Sequence, residues 1–295
     1  SAGRFGGKFH DGFRRSAGRD SVSQEERVVQ RRADADYRRL GVGNFVIYAD
    51  RCDPSFLALL ESEDDVSVLV SDTLKFGDTF GKILEAYPRR LGTLLRENFS
   101  TVFSRGRWHL VVDADEFLVL PPLFTVIQDY IALLEDRGRG FAFAPMVDFY
   151  PRRLSERNFG YGIDPFAGAP FFDRGPYHVV KPEVNKVTIL AKGVRWRLLR
   201  TLWRYRRQVV VDAGLNLDKM KYIRTDAKHP LLKASDGLRR VGSHEISTAT
   251  DTSLGCVLCH FKFYPQLDEK IAVALGERQY NAGSREYMLM SLMIE

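Results

Sequence analysis

The chain has 295 residues, 44% of them hydrophobic and 28% charged, which is typical of a globular protein with one large α/β domain or two smaller ones. No apolar run approaches the length of a membrane span, and the Gly- and Arg-rich start lacks the apolar core of a secretory signal peptide. Three cysteines are too few for a disulfide scaffold, so we expect a reducing, cytoplasmic compartment. The net charge of +6 favours anionic partners without selecting one.

The first half of the chain alternates between predicted strands and helices. Residues 1–24 lack periodicity and predict an irregular arm, and residues 25–40 have the composition of a helix that ends at Gly41. The next predicted elements are a strand at 45–48, a helix at 56–61, a strand at 66–70, a helical region at 79–103, a strand at 110–112, an amphipathic helix at 124–137 and a strand at 141–145. This alternation predicts an α/β fold with a parallel sheet.

The most informative stretch is 107–121, where three carboxylates directly follow an apolar strand. Asp113, Asp115 and Glu116 come at the end of the strand predicted at 110–112. Carboxylates crowded at the end of a buried strand repel one another and are costly to desolvate, so they need a compensating cation. Mg²⁺ or Mn²⁺ is suited to that role. The alternative is an acidic turn that caps the next element.

Two further carboxylates also follow a predicted strand. Asp50 and Asp53 lie just beyond the strand at 45–48. Ligands of parallel α/β sheets bind outside the carboxyl ends of the strands. The sequence therefore predicts that these aspartates and the 113–116 cluster line the same site.

After residue 150 the pattern loosens. Residues 151–180 have little periodicity, which is typical of binding loops. Segments 186–191 and 254–264 predict strands, and the C-terminal residues predict helices. The stretch 195–207 combines arginines with Trp203 and Tyr205, which suits a solvated helix face, a membrane-surface patch or a nucleic-acid site. We expect peripheral contact with the inner membrane face and no nucleic acid.

Residues 256–263 carry a C-x-x-C-H motif. Covalent haem attachment would need export, and zinc would need a second paired motif, so a redox dithiol or two core cysteines remain for Cys256 and Cys259. His260 and Lys262 alternate with aromatic residues and share a face if the segment is a strand. They could form a solvent-facing edge, or complete a metal site and neutralise a phosphate.

An ordered series of segments resembles the family-2-like bacterial glycosyltransferases of the GT-A fold, in the branch with a D-x-D-E-F motif. The segments are 37–42, 45–48 with Asp50 and Asp53, Trp108 with VDADEFL at 112–118, 147–150, 185–187, 242–244, 258–263 and 278–287. The series spans roughly residues 35–290. Two features depart from the family pattern, because residues 1–30 contain no opening strand with an R-N-E motif and Cys52 stands where Ser is usual.

The resemblance implies a metal-dependent transfer of sugar from a nucleotide-sugar donor to an acceptor hydroxyl, with inversion of the anomeric centre. The expected acceptor is a glycan or a lipid-linked molecule in bacterial surface polysaccharide synthesis. The implied fold is a mixed, mainly parallel sheet flanked by helices, in one domain over 25–295. Its nucleotide half would be about 25–150 and its acceptor half about 151–295.

The resemblance also implies roles for individual residues. Mn²⁺ or Mg²⁺ would be held by Asp113, Asp115 and His260, with His244 as the alternative ligand, and would bridge the diphosphate. Asp50 or Asp53 would contact the base or ribose, and Lys262 the diphosphate. The candidates for the base that takes the acceptor proton are, without ranking, Glu116, Asp148 and Glu245. The rival hypothesis is a non-catalytic protein that kept this fold and binds glycans or an anionic surface.

Overall fold

The computed structural model describes residues 35–50, 54–71, 79–80, 89–156, 164–175, 178–183, 186–190, 193–212, 225–242, 244–248, 251–263, 267–277 and 281–294. The arm predicted at 1–24, the start of the helix predicted at 25–40, and the candidate donor contact Asp53 lie outside the described residues.

The strands run as follows: β1 Phe45–Asp50, β2 Val66–Ser71, β3 Thr79–Phe80, β4 Arg89–Arg90, β5 Trp108–Leu110, β6 Glu116–Val119, β7 Ala144–Tyr150, β8 Phe171–Phe172, β9 His178–Glu183, β10 Lys186–Leu190, β11 Thr225–Lys228, β12 Leu231–Lys233 and β13 Val257–His260. The helices are α1 (35–39), α2 Pro54–Glu61, α3 Leu91–Asn98, α4 Ile127–Asp136, α5 Pro165–Gly168, α6 Val194–Tyr205, α7 Arg207–Asp212, α8 Leu267–Glu277 and α9 Asn281–Ile294. A π-helical turn, Phe99–Phe103, continues α3.

The predicted elements of the first half are largely present. Strands form at β1 and β2, and α4 buries Ile127, Tyr130, Ile131 and Leu134 at helical spacing. In the second half, the strand predicted at 186–191 is β10. The region predicted as helical over 79–103 contains short strands β3 and β4 as well as α3. Strand β5 covers Trp108–Leu110 and so ends at the residue where the strand predicted at 110–112 begins. The chain leaves the ladder before the carboxylates.

The sheet pairing is mixed. The main sheet has the order β6-β13-β7-β11-β10-β9, with β8 beside β7, while β1–β2, β3–β4 and β5–β12 form separate pairs. Among the described strands, β1–β2 and β7–β13 are parallel and the other pairings are antiparallel. The α/β expectation with mixed pairing is confirmed. The expectation of a mainly parallel sheet is wrong for these strands, because the second half of the chain adds antiparallel neighbours such as β9–β10 instead of helical crossovers.

One glycine fixes the approach of the chain to β1. Gly41 ends α1 with a φ of 93°, a conformation that other residues rarely adopt. A Cβ at this position would lie 2.3 Å from Oε1 of Gln128, whose amide donates to the Gly41 carbonyl at 2.6 Å. The turn therefore packs directly on α4.

Strands β6, β13 and β7 separate two parts of the core. On one face, Leu118, Leu258 and Met146 are adjacent and belong to the largest hydrophobic cluster, which includes α4. On the other face, Phe117, Cys259 and Val147 pack with Phe149 and Phe261. The next residues on the first face are charged. The alternation of the strands therefore places these charged side chains at one end of an apolar core.

Candidate functional site

The three carboxylates predicted from the sequence lie in and after the turn from β5 to β6. The turn is closed by Glu116, whose backbone N–H donates to the Asp113 carbonyl at 3.1 Å. The Glu116 side chain in turn accepts from the Asp113 backbone N–H at 2.9 Å. The Asp115 carbonyl accepts from the Phe261 backbone N–H at 2.8 Å, just after β13. The carboxylates and His260 are therefore held together by the backbone itself.

A row of charged side chains crosses three adjacent strands. Glu116 of β6 pairs in register with His260 of β13, which pairs in register with Asp148 of β7. Register partners project to the same face of a sheet, so these three side chains form one buried charged row. The row lies next to Leu118, Leu258 and Met146 on that face. Each is at most 5% exposed. Buried charges of this kind must compensate one another.

His260 lies between two aspartates. Its Nδ1 is 2.7 Å from Oδ1 of Asp148, and its Nε2 is 3.6 Å from Oδ2 of Asp115. Burial alone would lower the pKa of His260, but the two carboxylates more than offset it and raise that pKa to about 9. The imidazole is therefore charged at neutral pH in the metal-free protein.

Asp148 has a second cationic partner. Its Oδ2 accepts from Nε of Arg195 at 2.6 Å, and both side chains are buried. Burial would raise the pKa of Asp148, yet Arg195 and His260 together hold it well below its ordinary value. Arg195 lies in the first turn of α6, inside the basic stretch that the sequence suggested as a surface.

Asp113 and Glu116 share a buried lysine. Nζ of Lys228 lies 2.7 Å from Oδ2 of Asp113 and also contacts Oε1 of Glu116, while Arg96 contacts the other Asp113 oxygen. Burial tends to raise both carboxyl pKa values. Lys228 and Arg96 nevertheless hold the pKa of Asp113 well below its ordinary value, whereas the pKa of Glu116 stays raised.

A group of three side chains fits a metal ion. Ligand atoms of Asp115, Glu116 and His260 all lie within 4.8 Å of one another. Ligand atoms bound to one small divalent ion at about 2.1 Å lie roughly 3.0–3.6 Å apart, which matches the separation of His260 from Asp115. Carboxylates suit Mg²⁺ and Mn²⁺, and the imidazole moves the preference away from Mg²⁺. The residues present therefore fit a divalent ion.

The structure places the other predicted site residues as follows. Asp50 is the last residue of β1. Nζ of Lys262 lies 5.1 Å from the ring centre of Tyr287, and its charge contributes to lowering the pKa of Asp115. The pKa of His244 is well below its ordinary value, mainly because of burial and further because of the charge of Lys228. Glu245, the next residue, is half-buried.

The cysteines of the C-x-x-C-H motif belong to the core. Cys256 and Cys259 are free and buried, and they pack in different hydrophobic clusters. Burial raises the pKa of each thiol to about 12, which opposes the thiolate needed for redox chemistry.

Reasoning from the sequence did not identify Arg96, Arg195 and Lys228, the buried cations that neutralise the cluster. Arg195 contacts a carboxylate 47 positions away, and Lys228 contacts one 112 positions away. The only local signal for Lys228 is its position three residues before the apolar pair Leu231-Leu232, and its immediate neighbours Ala227 and His229 do not mark it as buried.

Comparison with known proteins does not show which family the chain belongs to. No family model matches the chain, and no curated protein matches it. A solved structure described as a glucose-1-phosphate thymidylyltransferase from Bacillus anthracis, in complex with a sucrose, is similar over 52% of this chain and 57% of its own, with a TM-score of 0.28 and 12% identity. The chain thus spans little more than half of that protein.

A second solved structure is a UDP-glucose pyrophosphorylase complexed with UDP-glucose. It is similar over 99% of this chain and 88% of its own, with a TM-score of 0.29 and 8% identity. Both TM-scores are too low for either likeness to support an argument about this chain.

Proposed function

We propose that this protein is a metal-dependent glycosyltransferase, which transfers a sugar from a nucleotide-sugar to an acceptor hydroxyl. The observation that carries the proposal is the position of His260, whose Nδ1 is engaged by Asp148 while its Nε2 points towards Asp115. A carboxylate that orients a histidine in this way is the usual support of a histidine metal ligand. The motif series of the sequence, which resembles that of GT-A glycosyltransferases, agrees with this chemistry.

Asp115, Glu116 and Nε2 of His260 would hold the ion, which would supply positive charge to the diphosphate leaving group. Asp148 fixes the imidazole ring, and Arg195 keeps Asp148 ionised. Binding a metal at Nε2 requires loss of the proton that the two aspartates stabilise there. Metal binding should therefore release a proton to solvent.

The remaining roles follow from the same proposal. Lys228 and Arg96 contact the two oxygens of Asp113, so Asp113 can join the ion only if Lys228 moves away. Glu116 also accepts from Lys228, and from the Asp113 backbone N–H, so the same movement of Lys228 would free an oxygen of Glu116 for the ion. Asp50 or Asp53 would contact the base or ribose of the donor, and Lys262 the diphosphate.

The three base candidates differ in their surroundings. Asp148 is enclosed between two cations that lower its pKa, which suits a positioning residue better than a proton acceptor. Glu116 has a raised pKa but is 1% exposed, and Glu245 is half-buried. We therefore assign Asp148 to positioning, and because Glu116 would hold the ion, Glu245 is the remaining base candidate.

One observation favours the second candidate function, a non-catalytic protein that binds glycans or an anionic surface. Lys228 and Arg96 already neutralise Asp113 and Glu116 without a metal. In such a protein these contacts would be permanent, and the charged row would only hold the strands together.

Calorimetric titration of UDP and GDP, each with and without Mn²⁺, tests the proposal. We expect one nucleotide to bind only with Mn²⁺, and Asp115→Asn to weaken that binding by at least about tenfold. The matched control is Asp129→Asn, a change of an exposed aspartate on α4. Equal binding in every combination would contradict the metal role. Metal-dependent hydrolysis of a nucleotide-sugar that is lost in Asp113→Ala would exclude the non-catalytic candidate.

A further inference from the structure

Helix α6 has one buried side and one strongly basic side. Val194, Arg195 and Leu202 are buried, and this side packs towards α9 through the cluster of Leu202, Val210 and Leu289. The opposite side and the start of α7 present exposed arginines. These residues, which we call the basic face, are Arg197, Arg200, Arg204, Arg206 and Arg207.

Among the residues that the structure describes, most arginines of the basic face lack an ion-pair partner. Arg197 forms an ion pair with Asp173 at 2.9 Å. Within the part of the chain that the structure describes, Arg200, Arg204 and Arg206 form no ion pair, and Arg204 lies over the ring of Tyr205 at 5.5 Å. A cluster of exposed arginines attracts an anionic partner.

Exposed apolar side chains lie among these arginines. Tyr205 is 73% exposed, and Val209 and Val211 of α7 are 38% and 47% exposed. At the other end of the face, the guanidinium of Arg197 lies 5.1 Å from the ring centre of Tyr150. That ring stacks at 6.3 Å on Phe171, which is exposed together with Phe172. Exposed aromatic or aliphatic side chains therefore adjoin the arginines at both ends of helix α6.

We propose that the basic face and its apolar neighbours dock the protein onto an anionic lipid bilayer. The arginines fit the negative headgroup region, and the apolar side chains gain by entering the boundary with the acyl chains. A soluble polyanion would use the arginines but would leave the apolar side chains in water. None of the described helices is long and apolar enough to cross a membrane.

The docking surface is connected to the candidate site. Arg195 lies in the first turn of the same helix and binds Asp148, which holds His260. Docking would therefore bring the site close to the headgroup region. The inference rests on surface charge and exposure, and it does not depend on glycosyl transfer.

Sedimentation of the full chain with vesicles tests the docking. The vesicles contain either phosphatidylcholine alone or phosphatidylcholine with about a third of phosphatidylglycerol. We expect binding only to the anionic vesicles. The double variant Arg200→Gln/Arg204→Gln should bind roughly 25-fold more weakly, at about fivefold per arginine. The control Arg105→Gln/Arg137→Gln removes two exposed arginines from other elements and should bind like wild type.

A second variant separates a bilayer from a soluble polyanion. Tyr205→Ser/Val211→Ser keeps every arginine, so it should weaken binding to the anionic vesicles and leave binding to heparin unchanged. Thermal unfolding of each variant confirms that it is folded. Equal binding to neutral and anionic vesicles, wild-type binding by the double arginine variant, or vesicle binding unaffected by Tyr205→Ser/Val211→Ser would each overturn the proposal.

Discussion

Two buried histidines in this protein are held in opposite charge states. His260 is 5% exposed and lies between the carboxylates of Asp115 and Asp148, which raise its pKa to about 9. His109, in the middle of β5, is fully buried. Its ring packs edge-on at 6.2 Å against Phe99, and burial, with a contribution from Arg240, lowers its pKa to about 3.

The comparison shows that burial does not by itself determine charge. Both rings lose hydration, which favours the neutral form in each case. The direction of the pKa shift depends on the groups around the ring, which are carboxylates for His260 and the Phe99 ring with the charge of Arg240 for His109. Removing Asp148, Lys228 and then His109 itself tests this contrast.

The largest effect should come from removing the carboxylate that both Arg195 and His260 share. Asp148→Asn keeps the shape of the side chain but removes the negative charge that two buried cations contact. We expect the free energy of unfolding to fall by about 3–5 kcal/mol, measured by urea denaturation.

An exposed ion pair provides the control for that variant. Asp236 contacts Arg105, and both side chains are largely exposed. Asp236→Asn should change the free energy of unfolding by no more than about 0.5 kcal/mol. Equal effects of the two variants would show that the charged row contributes no more than a surface pair.

Removing Lys228 should have the next largest effect. Lys228→Met leaves Asp113 and Glu116 without the cation between them, and we expect a loss of about 3 kcal/mol, because one carboxylate can relieve the repulsion by binding a proton. Mn²⁺ should raise the unfolding midpoint more in this variant than in wild type. Lys233→Met, which removes an exposed lysine paired with Glu135, is the control, and an identical Mn²⁺ response in all three proteins would contradict the prediction.

The fall in the free energy of unfolding at acid pH should depend on His109. Its pKa is lowered in the folded protein, so the unfolded chain takes up the proton more readily and stability is lost as the pH falls below about 6.5. Between about pH 6.5 and 5 this group should cost about 2 kcal/mol.

His109→Phe should remove that part of the pH dependence, measured by urea denaturation at each pH. The pKa of His229 is lowered to about 4, mainly by burial, and it contributes the same slope to both proteins. Parallel pH profiles for the wild type and the variant would show that His109 is not held neutral.

The sequence predicts the features that local patterns mark, and it misses those that depend on contacts between residues far apart in the chain. Strands β1 and β2, helix α4 and the carboxylates after β5 are marked by local periodicity and spacing, and the structure contains all of them. The compensating cation was predicted to be a metal, because Asp113, Asp115 and Glu116 are adjacent in the chain. Lys228 and Arg96 become visible as partners only once β11 and α3 are folded against the turn.

Arg195 illustrates the limit most clearly. In the sequence it is one of several arginines in a basic stretch, and nothing local distinguishes it from Arg197 or Arg200. In the structure it is 9% exposed and bound to Asp148, while its neighbours on the helix form the basic face. The position of Arg195 on the helix therefore decides that its guanidinium belongs to the candidate site and not to the basic face.

The charge state of His260 is the most direct test of the account, because the charged row and the proposed metal site both depend on its two aspartates. Titration of the metal-free protein by NMR of the histidine ring nitrogens, with His260→Gln to assign the signal, measures it. We expect a pKa of about 9, well above the ordinary value. A His260 that titrates at or below about 6.5 would contradict the account, because the ring would then not lie between two ionised carboxylates.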